Sequence, residues 1–141
     1  MRDIKFRAWK HVNTPEMFND VQAIEFKSGV AYLGYRLSSS TVRTDEEQLD
    51  NLILMQYTGL KDKNGSEIYE GDIVNYKNTF IDPMTGRGKL SVDVNREVVY
   101  KNGAFRMKIN HSDTSSFFDS EKMEVIGDIY RNPELLKEQS K

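Results

Sequence analysis

The chain contains no cysteine, only two histidines (His11 and His111), three prolines and a single tryptophan, Trp9. Without cysteine there can be no disulfide, no thiolate nucleophile and no cysteine-ligated zinc, and the expected location is a reducing cytoplasm. Two histidines are too few for a metal centre built on several imidazoles. No apolar run approaches the roughly 20 residues that span a bilayer. The opening Met1-Arg2-Asp3-Ile4-Lys5 alternates in polarity and lacks the apolar stretch of a signal peptide, so no membrane role is expected. Neither sign of charge dominates: the net charge is −2, which supplies no global pull toward nucleic acid.

What is present fits an ordinary globular domain. The 141 residues are 38% hydrophobic, 11% aromatic and 30% charged, too aromatic for a disordered chain and long enough to bury a core without staples. The charges are unevenly spread. Residues 84–108 carry Arg87, Lys89, Arg96, Lys101, Arg106 and Lys108 against Asp93 and Glu97, a local balance of +4. Residues 113–134 carry Asp113, Asp119, Glu121, Glu124, Asp128 and Glu134 against Lys122 and Arg131, a balance of −4. Opposite-sign segments suit self-association as well as polyanion binding, while two solvated strand faces explain them with no partner at all.

The pattern along the chain is mostly of period two. Ile4, Phe6 and Ala8 alternate with Lys5, Arg7 and Trp9, which predicts a strand with one buried face and puts Trp9 on the other, under a loop or at an interface. Val21–Phe26 and Val30–Tyr35 read as a hairpin across Ser28-Gly29. Thr44-Asp45-Glu46-Glu47 has the spacing of a capping box and predicts a helix of about two turns through Leu49 and Asn51. Leu52–Met55 reads as a buried strand. Asn64-Gly65 predicts a tight turn with Asp62 bonding the backbone inside it. Ile73–Tyr76, Leu90–Val94 and Glu97–Tyr100 read as strands, separated in part by the turn-rich loop 82–88. Lys101-Asn102-Gly103-Ala104 is the clearest type I′ hairpin signal, with Phe105, Met107 and Ile109 facing the core and Arg106 and Lys108 facing out. Met123–Tyr130 predicts a last strand interrupted by Gly127, and Asn132-Pro133-Glu134 starts a short C-terminal helix that frays into Glu138–Lys141. The expected fold class is therefore all-β, mainly antiparallel, a folded sheet or small SH3-like pseudobarrel with one or two short helices. The whole of 1–141 reads as one domain, with sub-structure at 1–60, 61–132 and 133–141.

Candidate chemistry fails residue by residue. The positions where an EF-hand around Asp62-Lys63-Asn64-Gly65 needs its first and last ligands hold Leu60 and Gly71. Gly86-Arg87-Gly88-Lys89 lacks the upstream glycine and the following hydroxyl of a phosphate loop, where Pro83 and Leu90 stand instead. In His111-Ser112-Asp113 neighbouring side chains of an extended loop point in alternating directions, which prevents a relay. Glu70 and Asp72 share one side of an extended segment, but acid–base work needs a pocket that splits their pKa values, and a solvated turn edge is the common case. No catalytic residue, metal ligand or cofactor is assigned, and the chain is expected not to be an enzyme.

Three segments resemble the signatures of the YopX family of phage and prophage proteins. They are Ile4–Trp9; Met55-Gln56-Tyr57-Thr58-Gly59-Leu60-Lys61-Asp62-Lys63-Asn64-Gly65 with Glu67–Val74; and Val125-Ile126-Gly127-Asp128-Ile129-Tyr130 followed by Asn132–Leu136. The resemblance implies a β-rich fold, a phage or prophage origin and a tendency to form homo-oligomers. It implies no activity and transfers no site residue, because none is assigned in the family. Turn chemistry accounts for every polar residue of the central segment. The expected role is a non-enzymatic, homo-oligomeric interaction module, with a phage or host protein as a further partner. Nucleic-acid binding by a small β-barrel ranks second, and the residues singled out for either contact are Trp9, Arg87, Lys89, Arg106 and Lys108.

Overall fold

The computed structural model describes residues 3–137, so the expected fraying of Glu138–Lys141 lies outside the described residues. The chain is predominantly antiparallel β-sheet with minimal helix, as the many short alternating segments predict. Contacts divide it into two compact units, Met1–Tyr57 and Thr58–Lys141.

The first unit holds β1 (Phe6–Lys10), β2 (Glu16–Phe18), β3 (Val21–Glu25), β4 (Val30–Arg36), β5 (Val42–Gln48) and the start of β6 (Leu52–Lys61). β1 lies between β2 and β6, and β3, β4 and β5 form a separate meander. Ala8, Ala31, Leu33 and Leu52 are its buried core, with Phe18, Val21 and Ile24 packed against them. Strict alternation fails in β1. Ile4 is 73% exposed, whereas Arg7 and Ala8 are both buried. A central strand covered on both faces buries consecutive residues, and a long arginine stem tolerates this.

The expected helix at Thr44–Glu47 is instead strand β5. It pairs with β4 over seven positions, from Arg36↔Val42 to Val30↔Gln48. The side chains of the capping box are engaged across the sheet: the Thr44 hydroxyl donates to Gln22 at 2.9 Å, and Glu47 meets Lys10 at 2.9 Å and the Asn51 amide at 2.8 Å. Only a single 3-10 turn, Leu49–Asn51, remains of that helix. A ladder of seven paired residues outweighs a cap worth about 1 kcal/mol.

The second unit contains the end of β6, then β7 (Glu67–Tyr69), β8 (Asp72–Ile81), β9 (Lys89–Lys101), β10 (Ala104–Met107), β11 (Met123–Asp128) and helix α1 (Glu134–Lys137). Its sheet runs β10-β9-β8-β11. Ile68, Val74, Tyr76, Val98, Met107 and Met123 form the core. Backbone bonds tie the β6–β7 hairpin to this sheet: Lys63 donates to Met123 at 3.0 Å, Gly71 to Val98 at 2.8 Å and Ile129 to Gly71 at 3.0 Å. They curl the second unit's sheet into a half-barrel. The Asn102-Gly103 hairpin has positive φ at both central residues, 53° and 80°, as a type I′ turn requires. The register of β11 shifts at Gly127, where the sequence interrupts the strand. Asn132 does not cap α1 with its side chain; its oxygen accepts from the Asp128 N–H at 3.2 Å and braces the preceding turn.

The two strand segments read at Leu90–Val94 and Glu97–Tyr100 are one continuous strand of 13 residues. β8 and β9 pair over nine positions, from Ile73↔Glu97 to Ile81↔Lys89. β11 reaches along β8 only as far as Tyr76, and β10 along β9 only as far as Val98. Beyond those points Lys77–Ile81 and Lys89–Asp93 pair only with each other among the described strands, forming a two-stranded arm that ends in the 82–88 turn.

Candidate functional site

Three carboxylates of the family-like segments, Asp62, Asp72 and Asp128, accept backbone N–H groups. Asp62 Oδ1 accepts the N–H groups of Asn64 and Ser66, each at 2.9 Å, and Oδ2 accepts the Val125 N–H at 2.8 Å. One carboxylate thus closes the Gly65 turn and fastens it to β11. Asp72 accepts the Tyr69 N–H at 2.8 Å. Asp128 accepts the N–H groups of Tyr130 and Arg131 at 3.0 and 2.9 Å, and Arg131 Nε at 2.7 Å. The solvated turn edge expected at Glu70 and Asp72 is not what the fold provides at Asp72, which is buried in its own turn. Among the described residues no group of three or more acidic, histidine or cysteine side chains is placed to hold a metal.

Two surfaces of the second unit stand out among the described residues. The first is the arm. Register places Tyr76 with Val94, Asn78 with Val92 and Phe80 with Leu90 along one of its faces, and Lys77 with Asp93, Thr79 with Ser91 and Ile81 with Lys89 along the other. The apolar stripe of the core thus continues outward, from buried Tyr76 to Phe80 and Leu90, which are 41% and 42% exposed. Val92, Val94, Met107 and Phe117 line a groove of about 470 Å³ beneath it. Ile81 and Met84, near the tip, are 65% and 89% exposed. None of the exposed residues Phe80, Ile81, Met84 and Leu90 is among the contact residues expected from the sequence; the signal was Phe80-Ile81 and Leu90 flanking a turn-rich loop, which marks a hairpin whose length only pairing reveals.

The second surface is a cleft of about 720 Å³ where β9, the segment leaving β10 and α1 meet. Asn95 anchors α1 by donating to the Leu135 carbonyl at 3.0 Å. Arg96, Lys108, His111 and Lys137 line the cleft, and Glu97 is the one acid among its lining residues. The Lys108 N–H donates to the Glu97 carbonyl at 2.8 Å, so these two residues lie opposite each other on neighbouring strands. Burial pushes the Glu97 carboxyl above the ordinary glutamate range, and the Lys108 ammonium pulls the other way without cancelling it. A carboxyl held higher in the folded than in the unfolded chain binds its proton more tightly when folded. Its effect on stability is therefore favourable at acid pH and is lost as pH rises through the folded pKa. Glu97→Gln is expected to raise the melting temperature at neutral pH, with the gain vanishing below the unfolded glutamate value of about 4.3. Thermal melts at the two pH values check this, and a variant less stable at both would contradict it.

A model of the YopX protein family matches residues 5–137. The chain belongs to the YopX family. Among solved structures, protein EF1440 from Enterococcus faecalis is 28% identical, with 96% of this chain and 99% of that chain covered and a TM-score of 0.61. Protein YopX from Bacillus subtilis is 25% identical, with 96% and 97% covered and a TM-score of 0.53. Comparison with curated proteins returns no match.

In this YopX-family chain the residues singled out from sequence do not converge. Trp9 is half-buried in β1 of the first unit. Arg87 lies in the turn at the arm's tip, and Lys89 begins β9 beside it. Arg106 is committed to its own hairpin: Nε donates to the Lys101 carbonyl at 3.2 Å and Nη1 to the Ser115 carbonyl at 3.1 Å. Lys108 alone enters the cleft, with Arg96, His111 and Lys137. Of the expected inward set beside it, Met107 is buried, Phe105 is half-buried against Tyr100, and Ile109 is 47% exposed at the cleft's edge.

Proposed function

We propose that this YopX-family protein is a non-enzymatic phage or prophage accessory protein that works as a homo-oligomeric interaction module, with the β8–β9 arm as its contact element. The arm's apolar stripe carries this reading. A two-stranded ribbon is marginal in water, and a contiguous apolar face beyond the core marks a contact surface. The +4 segment that contains one side of the arm and the −4 segment that follows it supply complementary charge for a second copy. Static light scattering after gel filtration, at physiological salt and tens of micromolar chain, is expected to give a mass above that of one chain. Phe80→Thr combined with Leu90→Thr keeps strand propensity and removes the stripe, and is expected to weaken association by about tenfold or more at unchanged circular dichroism. A wild-type protein that elutes as a clean monomer contradicts the reading.

Nucleic-acid binding is the second reading, favoured by Arg87 and Lys89 at the tip of a ribbon narrow enough to follow a groove. The net charge of −2 and the commitment of Arg106 to backbone carbonyls weigh against it. Titration of single- and double-stranded DNA and RNA discriminates: binding that falls steeply with salt supports this reading, and no binding at low salt removes it.

A further inference from the structure

The two edges of the arm carry backbone groups that no described strand meets. The Lys108 N–H donates to the Glu97 carbonyl at 2.8 Å, and the Asp82 N–H to the Gly88 carbonyl at 3.3 Å. In an antiparallel ladder, residues bonded to one neighbouring strand alternate with those bonded to the other. Leu90, Val92 and Val94 therefore turn N–H and C=O toward β8, whereas Ser91 and Asp93 turn theirs to the β10 side, as Glu97 does. β10 ends opposite Val98, so Ser91 and Asp93 meet no strand there among the described residues. α1 is anchored to β9 at Asn95, past this stretch. On the other edge Lys77, Thr79 and Ile81 are placed alike, because β11 ends opposite Tyr76. A row of backbone donors and acceptors along an apolar stripe is a template for another strand.

The edges differ in what they match. Lys89-Leu90-Ser91-Val92-Asp93 runs positive, apolar, hydroxyl, apolar, negative, so it is complementary to its own reverse. An antiparallel second copy centred on Ser91 sets Lys89 of each chain opposite Asp93 of the other and Leu90 opposite Val92. Lys89 and Asp93 are both exposed, and the Asn75 amide steadies the Asp93 carboxylate by donating to Oδ1 at 2.8 Å. Opposite charges directly across a ladder stabilise it and like charges weaken it. A parallel copy in register would set lysine against lysine and aspartate against aspartate. The β8 edge fails the same test: centred on Thr79, it sets Lys77 against Ile81 and Asn78 against Phe80. We infer that two copies of this chain join edge to edge along Lys89–Asp93 of β9, antiparallel about Ser91, so that their arms form one four-stranded sheet with a Lys89–Asp93 ion pair at each end of the seam. The inference rests on the arm's self-association proposed above and assigns its geometry. The same edge serves both copies, so the contact closes on itself as a two-fold. Leu90 beside Val92 of the other copy carries the apolar stripe across the seam.

Charge reversal in the full chain tests the pairing, read by analytical ultracentrifugation over a concentration series. Lys89→Asp leaves two carboxylates on the edge and Asp93→Lys two ammonium groups, so each variant repels its own copy at both ends of the seam. Each is expected to associate about tenfold or more weakly than wild type at unchanged circular dichroism. An equimolar mixture of the two restores both ion pairs and is expected to recover association. Any disturbance inside a single arm, such as a new lysine opposite Lys77, persists in the mixture, so recovery reports the contact between chains. The absence of native cysteine allows a second readout. Directly opposed residues of a hydrogen-bonded pair stand about 5.5 Å apart at Cα, a span that a disulfide bridges. Ser91→Cys is therefore expected to cross-link two chains under mild oxidation. Thr79→Cys, whose hydroxyl meets that of Ser91 at 3.3 Å on the same face, is expected not to, because three strand spacings of about 4.8 Å separate the two copies of Thr79. A wild-type oligomer that neither charge reversal weakens, or that cross-links through Thr79→Cys and not through Ser91→Cys, overturns this pairing and leaves self-association standing. A wild-type chain that stays monomeric removes both.

Discussion

Asp62→Ala is expected to cost roughly 2–4 kcal/mol of stability, because a single carboxylate satisfies three backbone N–H groups and removing it orphans all of them. The three are not equal. Asn64 and Ser66 lie in an exposed turn, where water replaces the lost acceptor at small cost. Val125 is half-buried in β11, and its N–H faced Oδ2 at 2.8 Å, so the larger share of the loss falls there. Asp62→Asn separates the two contributions. An amide retains one oxygen, so either the turn or Val125 keeps its acceptor while an NH₂ group confronts the other donor, and an intermediate loss is expected. The choice of probe matters. Trp9, the single tryptophan, lies in the first unit, whereas the bonds at issue lie in the second. Denaturant melts followed by circular dichroism, together with hydrogen exchange at the Val125 amide, are the informative measurements. Wild-type stability and unchanged Val125 protection in Asp62→Ala would show that the carboxylate is not the fastener between the turn and β11.

Residues such as Asp62 were legible in the sequence because their partners are near neighbours. The Asx contacts of Asp62 reach two and four residues on, and the Asn102-Gly103 turn needs only its own φ angles. The bond from Val125, 63 residues away, was not legible. The same distinction explains the misread helix. Thr44–Glu47 satisfies a local rule, but β4 supplies a ladder of partners across a loop, and pairing decides. It also explains the arm. Period two marks Leu90–Val94 and Glu97–Tyr100 as extended, yet whether they join, and how far they run past their outer neighbours, depends on where β10 and β11 end. The cleft was the least accessible of all. Asn95 meets Leu135 across 40 residues, a contact that no local pattern announces. Lys108 was singled out for its charge, whereas Arg96 was counted among the basic residues without being marked, because only the fold sets it between two cavities.

Asp128→Asn is the companion expectation, and its pH dependence is where it can be distinguished from a mere packing defect. Asp128 is 1% exposed, and burial alone would push its carboxyl upward; the hydrogen bonds from the Arg131 backbone and guanidinium, with that of Tyr130, outweigh burial and hold it below the ordinary aspartate range. A carboxyl depressed in the folded chain contributes stability that is fully present above the unfolded value of about 3.9 and is lost as pH falls through the folded pKa. At neutral pH the asparagine variant lacks the charge that Arg131 Nε meets at 2.7 Å and presents an amide donor among three donors, so a loss of roughly 2–4 kcal/mol is expected. The gap between wild type and variant should narrow in acid, as the wild-type carboxyl gains its own proton. Glu97 runs the opposite way: its raised carboxyl makes the neutral-pH protein less stable than it would be without the charge. The two substitutions therefore predict convergence in urea melts, Glu97→Gln approaching wild type from above and Asp128→Asn from below as pH falls. A constant deficit for Asp128→Asn at every pH would mean that geometry, and not charge, secures the turn that leads into α1.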